Sequence, residues 1–141
     1  MMFRILVLQE DERWRAVICD DLIEIAPTRF HISDMRLTAS NHLYREATRI
    51  FQPDLIIMSW GHGGVQILPY LQAQSPKTEI WVISAFQKKR LYEEAAAADL
   101  IIPKDSYSTG VLKESLYRRF PYETIDNKVE IQDARNAFLA G

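Results

Sequence analysis

Four aliphatic runs in this chain each stop at residues able to do chemistry. Arg4-Ile5-Leu6-Val7-Leu8 runs into Gln9-Glu10-Asp11-Glu12, and Leu55-Ile56-Ile57-Met58 into Ser59. Glu79-Ile80-Trp81-Val82-Ile83 runs into Ser84, and Leu100-Ile101-Ile102 into Pro103-Lys104-Asp105. Glu10 and Asp11 are weak candidates for a cation site. Lys104 either neutralises those acids in an ion pair or completes a phosphate or metal site with them. Ser84 either donates to a ligand or bonds local backbone. Ser59 is a neutral hydroxyl with no adjacent general base, which makes a poor nucleophile, so no enzyme is expected. His62, between Gly61 and Gly63-Gly64, has the type of a general base or metal ligand. With no second histidine or cysteine close in sequence, a solvent-facing loop residue is expected instead. Gly63-Gly64 reads as a turn before a helix rather than a phosphate cradle.

For these residues to meet, the runs must be neighbouring strands ending at one edge. Continuous aliphatic runs suit strands buried on both faces. Between them lie helical spacings: Trp14, Val17, Ile18, Leu22 and Ile25, closed by Pro27; then Leu43, Ala47 and Ile50, capped at Ser40 or Asn41 and stopped before Pro53. Val65 to Ala73 predicts a helix that is short or kinked because it carries Pro69. Lys88 to Ala98 is a helix by propensity. Val111, Leu112, Leu116 and Phe120 mark a last helix capped by Ser108 or Thr109. Phe30-His31-Ile32-Ser33 alternates and reads as a shorter strand near an edge. Strands alternating with helices through short loops imply a doubly wound α/β domain with a five-stranded parallel sheet, because parallel strands need helical crossovers. In that fold the ends of strands one, three, four and five converge on one crevice, holding Glu10, Asp11, Ser59, Ser84 and Lys104. Residues 1–120 form this domain. Residues 121–141 are a C-terminal extension with a helix from about Val129 to Leu139, a tail or docking element.

Composition narrows the classes. At 141 residues, 48% hydrophobic and 26% charged, the chain fits one compact domain. A net charge of -2 supplies no global field for nucleic acid or anionic membrane, so neither is an expected partner. The single cysteine, Cys19, has no intrachain disulfide partner and reads as a small apolar residue. No apolar run reaches the roughly 18 residues of a membrane span, and no signal-peptide pattern opens the chain, which places it in the cytoplasm.

Taken in order, Ile5-Leu6-Val7-Leu8 followed by acids, Pro53-Asp54-Leu55-Ile56-Ile57-Met58, Val82-Ile83-Ser84-Ala85 and Ala98-Asp99-Leu100-Ile101-Ile102-Pro103-Lys104-Asp105 resemble the receiver domain of bacterial response regulators, over residues 3 to about 120. The resemblance implies a CheY-like sheet of order 2-1-3-4-5. It also implies a site in which acids after the first strand hold Mg²⁺ and an aspartate after the third is phosphorylated, while a hydroxyl and a lysine bind the phosphoryl group. Glu10 and Asp11 match the acids, Ser84 the hydroxyl and Lys104 the lysine. If the turn begins at Gln9, Glu10 is the only matched ligand.

At the phosphoacceptor position this chain has Ser59. Ile101 replaces the reporting aromatic residue, Asp105 stands where a proline commonly follows the lysine, and the loop after Ser59 is shorter than usual. These departures imply a degenerate pseudo-receiver that binds no cofactor and acts as a phosphorylation-independent protein-interaction module in signal transduction or transcriptional regulation. Lys88, Lys89, Arg90 and Tyr92 lie on the face that receivers offer to partners, and a signalling or transcription protein or a second copy of the chain is the expected partner. The competing reading is a phosphotransfer-competent receiver using another carboxylate, or a small ligand-binding or enzymatic module built on the acidic pocket with His62. Asp54, the nearest other acid, starts its strand about 16 Å from the crevice.

Overall fold

The computed structural model describes residues 3–25, 30–36, 41–59, 62–84 and 97–120. In chain order these form β1 (Phe3–Gln9), α1 (Glu12–Ile25), β2 (Phe30–Arg36), α2 (Asn41–Phe51), β3 (Leu55–Met58), α3 (His62–Gln74), β4 (Glu79–Ser84), β5 (Leu100–Pro103), a single 3-10 turn (Lys104–Ser106) and α4 (Thr109–Arg119). Residues 88–96 of the helix expected over Lys88 to Ala98 and the extension 121–141 lie outside the described residues, so α4 is the last helix of the sequence reading. The sheet is wholly parallel, in the order β2-β1-β3-β4-β5.

Two hydrophobic layers explain the aliphatic runs. Phe3, Ile5 and Val7 of β1, Leu55 and Ile57 of β3, and Trp81 and Ile83 of β4 pack with Ile18 and Leu22 of α1 and Leu112 and Leu116 of α4. The intervening residues Leu6, Leu8, Ile56, Met58, Ile80 and Val82 pack on the opposite face with Leu68 and Leu71 of α3. Successive strand residues point to opposite faces. A strand covered on both sides must therefore be apolar throughout, and all four residues of β3 are fully buried. Each large aliphatic side chain buried in this way contributes about 1.5–3 kcal/mol.

Two elements differ from expectation. β2 extends to Arg36, beyond the expected end at Ser33, because all seven of its residues pair in register with β1, and an edge strand tolerates charge. α3 runs thirteen residues, starting at His62 rather than Val65 and carrying Pro69 in its interior. Pro69 itself is exposed, while Leu68 and Leu71 anchor the helix on the sheet, so burial overrides the proline's low propensity. His62 is accordingly the first helical residue and not part of a free loop.

α2 ends in a left-handed residue. Gln52 has φ 50 and its N–H donates to the Thr48 carbonyl at 3.0 Å. Glycine usually takes this position, and a side chain there costs about 1 kcal/mol.

Candidate functional site

The chain leaves β1 for β2 on one side and leaves β3 for β4 on the other, so the carboxyl ends of the adjacent strands β1 and β3 form a switch-point crevice. Leu8 pairs with Met58, which makes Gln9 and Ser59 the next residues on adjacent strands. Ser59 is 5% exposed. Its N–H donates to the Leu8 carbonyl at 2.9 Å, and its Oγ accepts the Glu10 N–H at 3.0 Å. The hydroxyl thus clips the turn after β1 to the end of β3. Its oxygen satisfies a main-chain donor that would otherwise lack a partner at the sheet edge.

Strand β1 runs through Gln9, which settles the register: Gln9 occupies the strand end and Glu10 opens the turn. Gln9 is 1% exposed, and neither its amide nitrogen nor its amide oxygen has a hydrogen-bond partner. An unpaired buried polar group costs about 1–3 kcal/mol. Gln9→Met keeps the volume and removes both polar atoms, so the variant is expected to be more stable by about 1–3 kcal/mol in urea unfolding, with an unchanged m-value. A loss of stability would mean that the amide is engaged.

The acids are exposed, and one of them is already occupied. Asp11 caps α1: its Oδ1 accepts the Arg13 N–H at 2.8 Å and the Trp14 N–H at 3.2 Å. Those bonds, that of Trp14 foremost, hold its carboxyl below the usual range, with Lys104 adding a smaller coulombic contribution. Lys104 forms no salt bridge with Glu10 or Asp11. Its ammonium lies over the Trp14 ring, 4.9 Å from the centroid. Trp14 also meets Tyr107 edge-on at 5.3 Å, and the Tyr107 hydroxyl donates to Asp21 Oδ2 at 2.6 Å. The segment after β5 is therefore stitched to α1 through Trp14, with Lys104 held on that side.

Burial, then the bond to Asp21, pushes the Tyr107 hydroxyl upward, and burial, then the charge of Asp34, pushes the Cys19 thiol up to about 11. Both groups are neutral when protonated, and both pKa values are raised on folding. Their contribution to stability is full below the ordinary values of 9.0 and 10.0 and is lost as pH rises through them toward the folded values. Stability is expected to fall from about pH 9 upward, and Tyr107→Phe to flatten the upper part of that fall in urea midpoints measured against pH.

The backbone brings Ser84 to the edge of β4, in register with Pro103. Lys88, Lys89, Arg90 and Tyr92 lie outside the described residues. Asp54 sits at the opposite edge, where its Oδ2 accepts the Arg4 N–H at 2.8 Å. Among the described residues no three His, Cys, Asp or Glu side chains come together to hold a metal ion. The Mg²⁺ implied by a receiver-like site does not fit this donor set. Among the described residues Glu10 and Glu12 are the carboxylates at this end of β1 without a capping role, Glu12 faces Arg15 at 4.0 Å, and Gln9 and Ser59 supply only neutral groups. Sequence reasoning assigned Trp14 to the core stripe and passed over Tyr107. Only the contact between α1 and the turn after β5 shows what they do together.

No family model matches the chain, and no curated protein matches it. Solved structures do. A DNA-binding response regulator of the LuxR family from Staphylococcus aureus aligns with TM-score 0.69 at 13% identity, covering 83% of this chain and 98% of that one. A response regulator from Thermotoga maritima, solved with Mg²⁺ and beryllofluoride, aligns with TM-score 0.66 at 21% identity, covering 83% and 98%. An atypical orphan response regulator, described as revealing a phosphorylation-independent regulatory mechanism, aligns with TM-score 0.67 at 16% identity, covering 84% and 96%. The chain has the receiver-domain fold, CheY-like in strand order and connection.

Proposed function

We propose that this domain is a pseudo-receiver: a cytoplasmic, non-enzymatic protein-interaction module of bacterial signal transduction or transcriptional control that works without phosphorylation. The observation that carries this reading is the Ser59 hydroxyl at the end of β3, where the sequence resemblance puts the phosphoacceptor, engaged by the Glu10 N–H at 3.0 Å. A serine there offers no carboxylate to attack a phosphoryl donor or to ligate Mg²⁺. The placement of Lys104 over Trp14 agrees, since it holds the lysine on α1 rather than against a phosphoryl group. Likeness to an orphan regulator described as phosphorylation-independent supports the same reading by analogy of fold.

In this account the domain presents a fixed surface, and occupancy depends on the partner's concentration rather than on a covalent switch. The partner is a signalling or transcription component or a second copy of the chain, and Lys88, Lys89, Arg90 and Tyr92 belong to the surface it meets. Among the described residues no helix is long and apolar enough to cross a membrane. The test is affinity capture from the native host with the full chain, run with and without Mg²⁺ and beryllofluoride. Charge reversal at Lys88, Lys89 and Arg90 is expected to release the captured protein, and beryllofluoride to leave its recovery unchanged. Recovery that follows beryllofluoride would contradict the proposal.

A further inference from the structure

The two edges of the sheet differ. β5 is four residues long and ends in Pro103, whereas β2 pairs with β1 over seven residues in unbroken register, with no proline and no bulge. Every second residue of β2 turns its backbone N–H and C=O away from β1, and none of the described backbone hydrogen bonds outside the sheet ladders reaches them. Short length, proline, bulges and charge are the usual protections of such an edge. Only charge remains here, and Asp34 already pairs with Arg15 at 3.2 Å. We infer that β2 and α1 together form a self-complementary surface on which a second copy of this chain docks, joining the two sheets edge to edge. This goes beyond the reading above, since the surface is not that of Lys88, Lys89, Arg90 and Tyr92.

The helix supplies the second half of the surface. Ala16, Cys19 and Ile23 recur at i, i+3 and i+7 on one flank of α1, with Ala16 exposed, Cys19 half-buried and Ile23 50% exposed. Contacts fix which flank this is: Arg15 reaches Asp34 of β2, while Trp14 and Asp21 reach Tyr107 on the other side. α1 packs on β1 and β2 alike, and so sits about 2.4 Å, half a strand spacing, inside β2. Across a seam of about 4.8 Å the two copies of α1 then lie about 10 Å apart, which is helix-packing distance. The charge of Asp34 also reaches the Cys19 thiol, so the middle of α1 is level with the middle of β2. A two-fold axis that pairs all seven residues of β2 with their antiparallel copies passes through Ser33, and therefore near Cys19 and Asp20. Ala16 then faces Ile23 of the second copy, a small residue against a large one, on both sides of the axis. Charge agrees with this arrangement. The first half of α1 carries Arg13 and Arg15 against Glu12, the second carries Asp20, Asp21 and Glu24, and antiparallel helices set the unlike halves together.

Two contacts oppose docking. Asp20 meets its counterpart near the axis, at the solvent rim, where water and salt screen the repulsion. Asp34 lies diagonal to its counterpart across the seam, and Arg15 offsets each of them. A plainer explanation, an open edge and one exposed isoleucine, is common on protein surfaces. It gives no reason for Ala16 and Ile23 to be equidistant from the axis that β2 sets.

The experiment is sedimentation equilibrium of the full chain from micromolar to hundreds of micromolar, with amide hydrogen exchange at both ends of that range. A monomer–dimer equilibrium is expected, with the amides of β2 gaining protection as concentration rises. Ala16→Ile and Ile23→Ala alone should each weaken the dimer at least tenfold, and the double variant, which exchanges the small and large partners, should recover most of that loss. Val17→Glu, also at an exposed position of α1 but off the stripe, should leave the dimer unchanged. All four substitutions fall on exposed positions, and circular dichroism checks that each variant is folded. A chain monomeric throughout, a double variant no better than the single ones, or Val17→Glu as damaging as Ala16→Ile would overturn the inference. Because the seam is remote from Ser59, a monomer would leave the phosphorylation-independent reading standing, and phosphorylation of the chain would leave the dimer standing.

Discussion

The double substitution Gln9→Asp, Ser59→Asp is expected to give a domain whose stability depends on Mg²⁺, whereas the wild-type chain is indifferent to it. The two positions end adjacent strands and are 1% and 5% exposed. Strands in a sheet lie about 4.8 Å apart. Two carboxylates there, with Glu10 beside them, repel one another while losing water. A buried charge without a partner destabilises by about 3–5 kcal/mol, and that is the loss expected in EDTA. A divalent cation that binds only the folded form recovers stability by mass action, so saturating Mg²⁺ should raise the melting temperature again. Acetyl phosphate should then modify the double variant at position 59. Melting curves with EDTA and with Mg²⁺ check both halves. A wild-type melting temperature that rises with Mg²⁺, or a double variant that ignores the cation, would contradict the reading of this crevice.

Trp81→Ala is expected to cost about 3–5 kcal/mol, the usual range for truncating a buried tryptophan. Trp81 is fully buried in the interior strand β4, pairs in register with Ile57 and Leu100, and lies 6.1 Å from Phe120 between ring centroids. Its indole N–H is not orphaned, since it donates to Glu79 Oε1 at 3.1 Å, and Glu79 in turn pairs with Arg119 at the end of α4. The loss is therefore mainly one of packing. Against a total of about 5–15 kcal/mol it brings the domain close to unfolding at room temperature. Urea denaturation followed by far-ultraviolet circular dichroism measures it. A cost below about 1 kcal/mol would mean that the sheet can close over the cavity.

The architecture was legible because it is written in burial. Runs such as Leu55-Ile56-Ile57-Met58, short and preceded by Pro53, suit strands covered on both faces, and the spacing of Ile18 and Leu22 or Leu112 and Leu116 marks the helices that cover them. The edge strand was harder. Its pairing with β1 carries polar residues such as Asp34, which hydrophobic periodicity cannot see. Pro69 misled in the other direction, since a local penalty was outweighed by Leu68 and Leu71 packing on the sheet. At the crevice, residue types could be placed at one edge, but their bonds could not. Asp11 looked like half of an acidic pair and serves as a helix cap, Lys104 looked like its counter-ion and rests on Trp14, and Gln9 was visible only as a question of register. These outcomes depend on how α1 and the turn after β5 approach each other, which no local pattern encodes.

The central claim is that this receiver-type fold carries no working phosphoacceptor. The most direct measurement is intact mass after the wild-type chain is incubated with Mg²⁺ and acetyl phosphate, beside a phosphorylatable receiver as control. The account predicts an unmodified mass while the control is converted. A phosphate adduct mapped by peptide analysis to Glu10, Asp54 or Ser59 would contradict it.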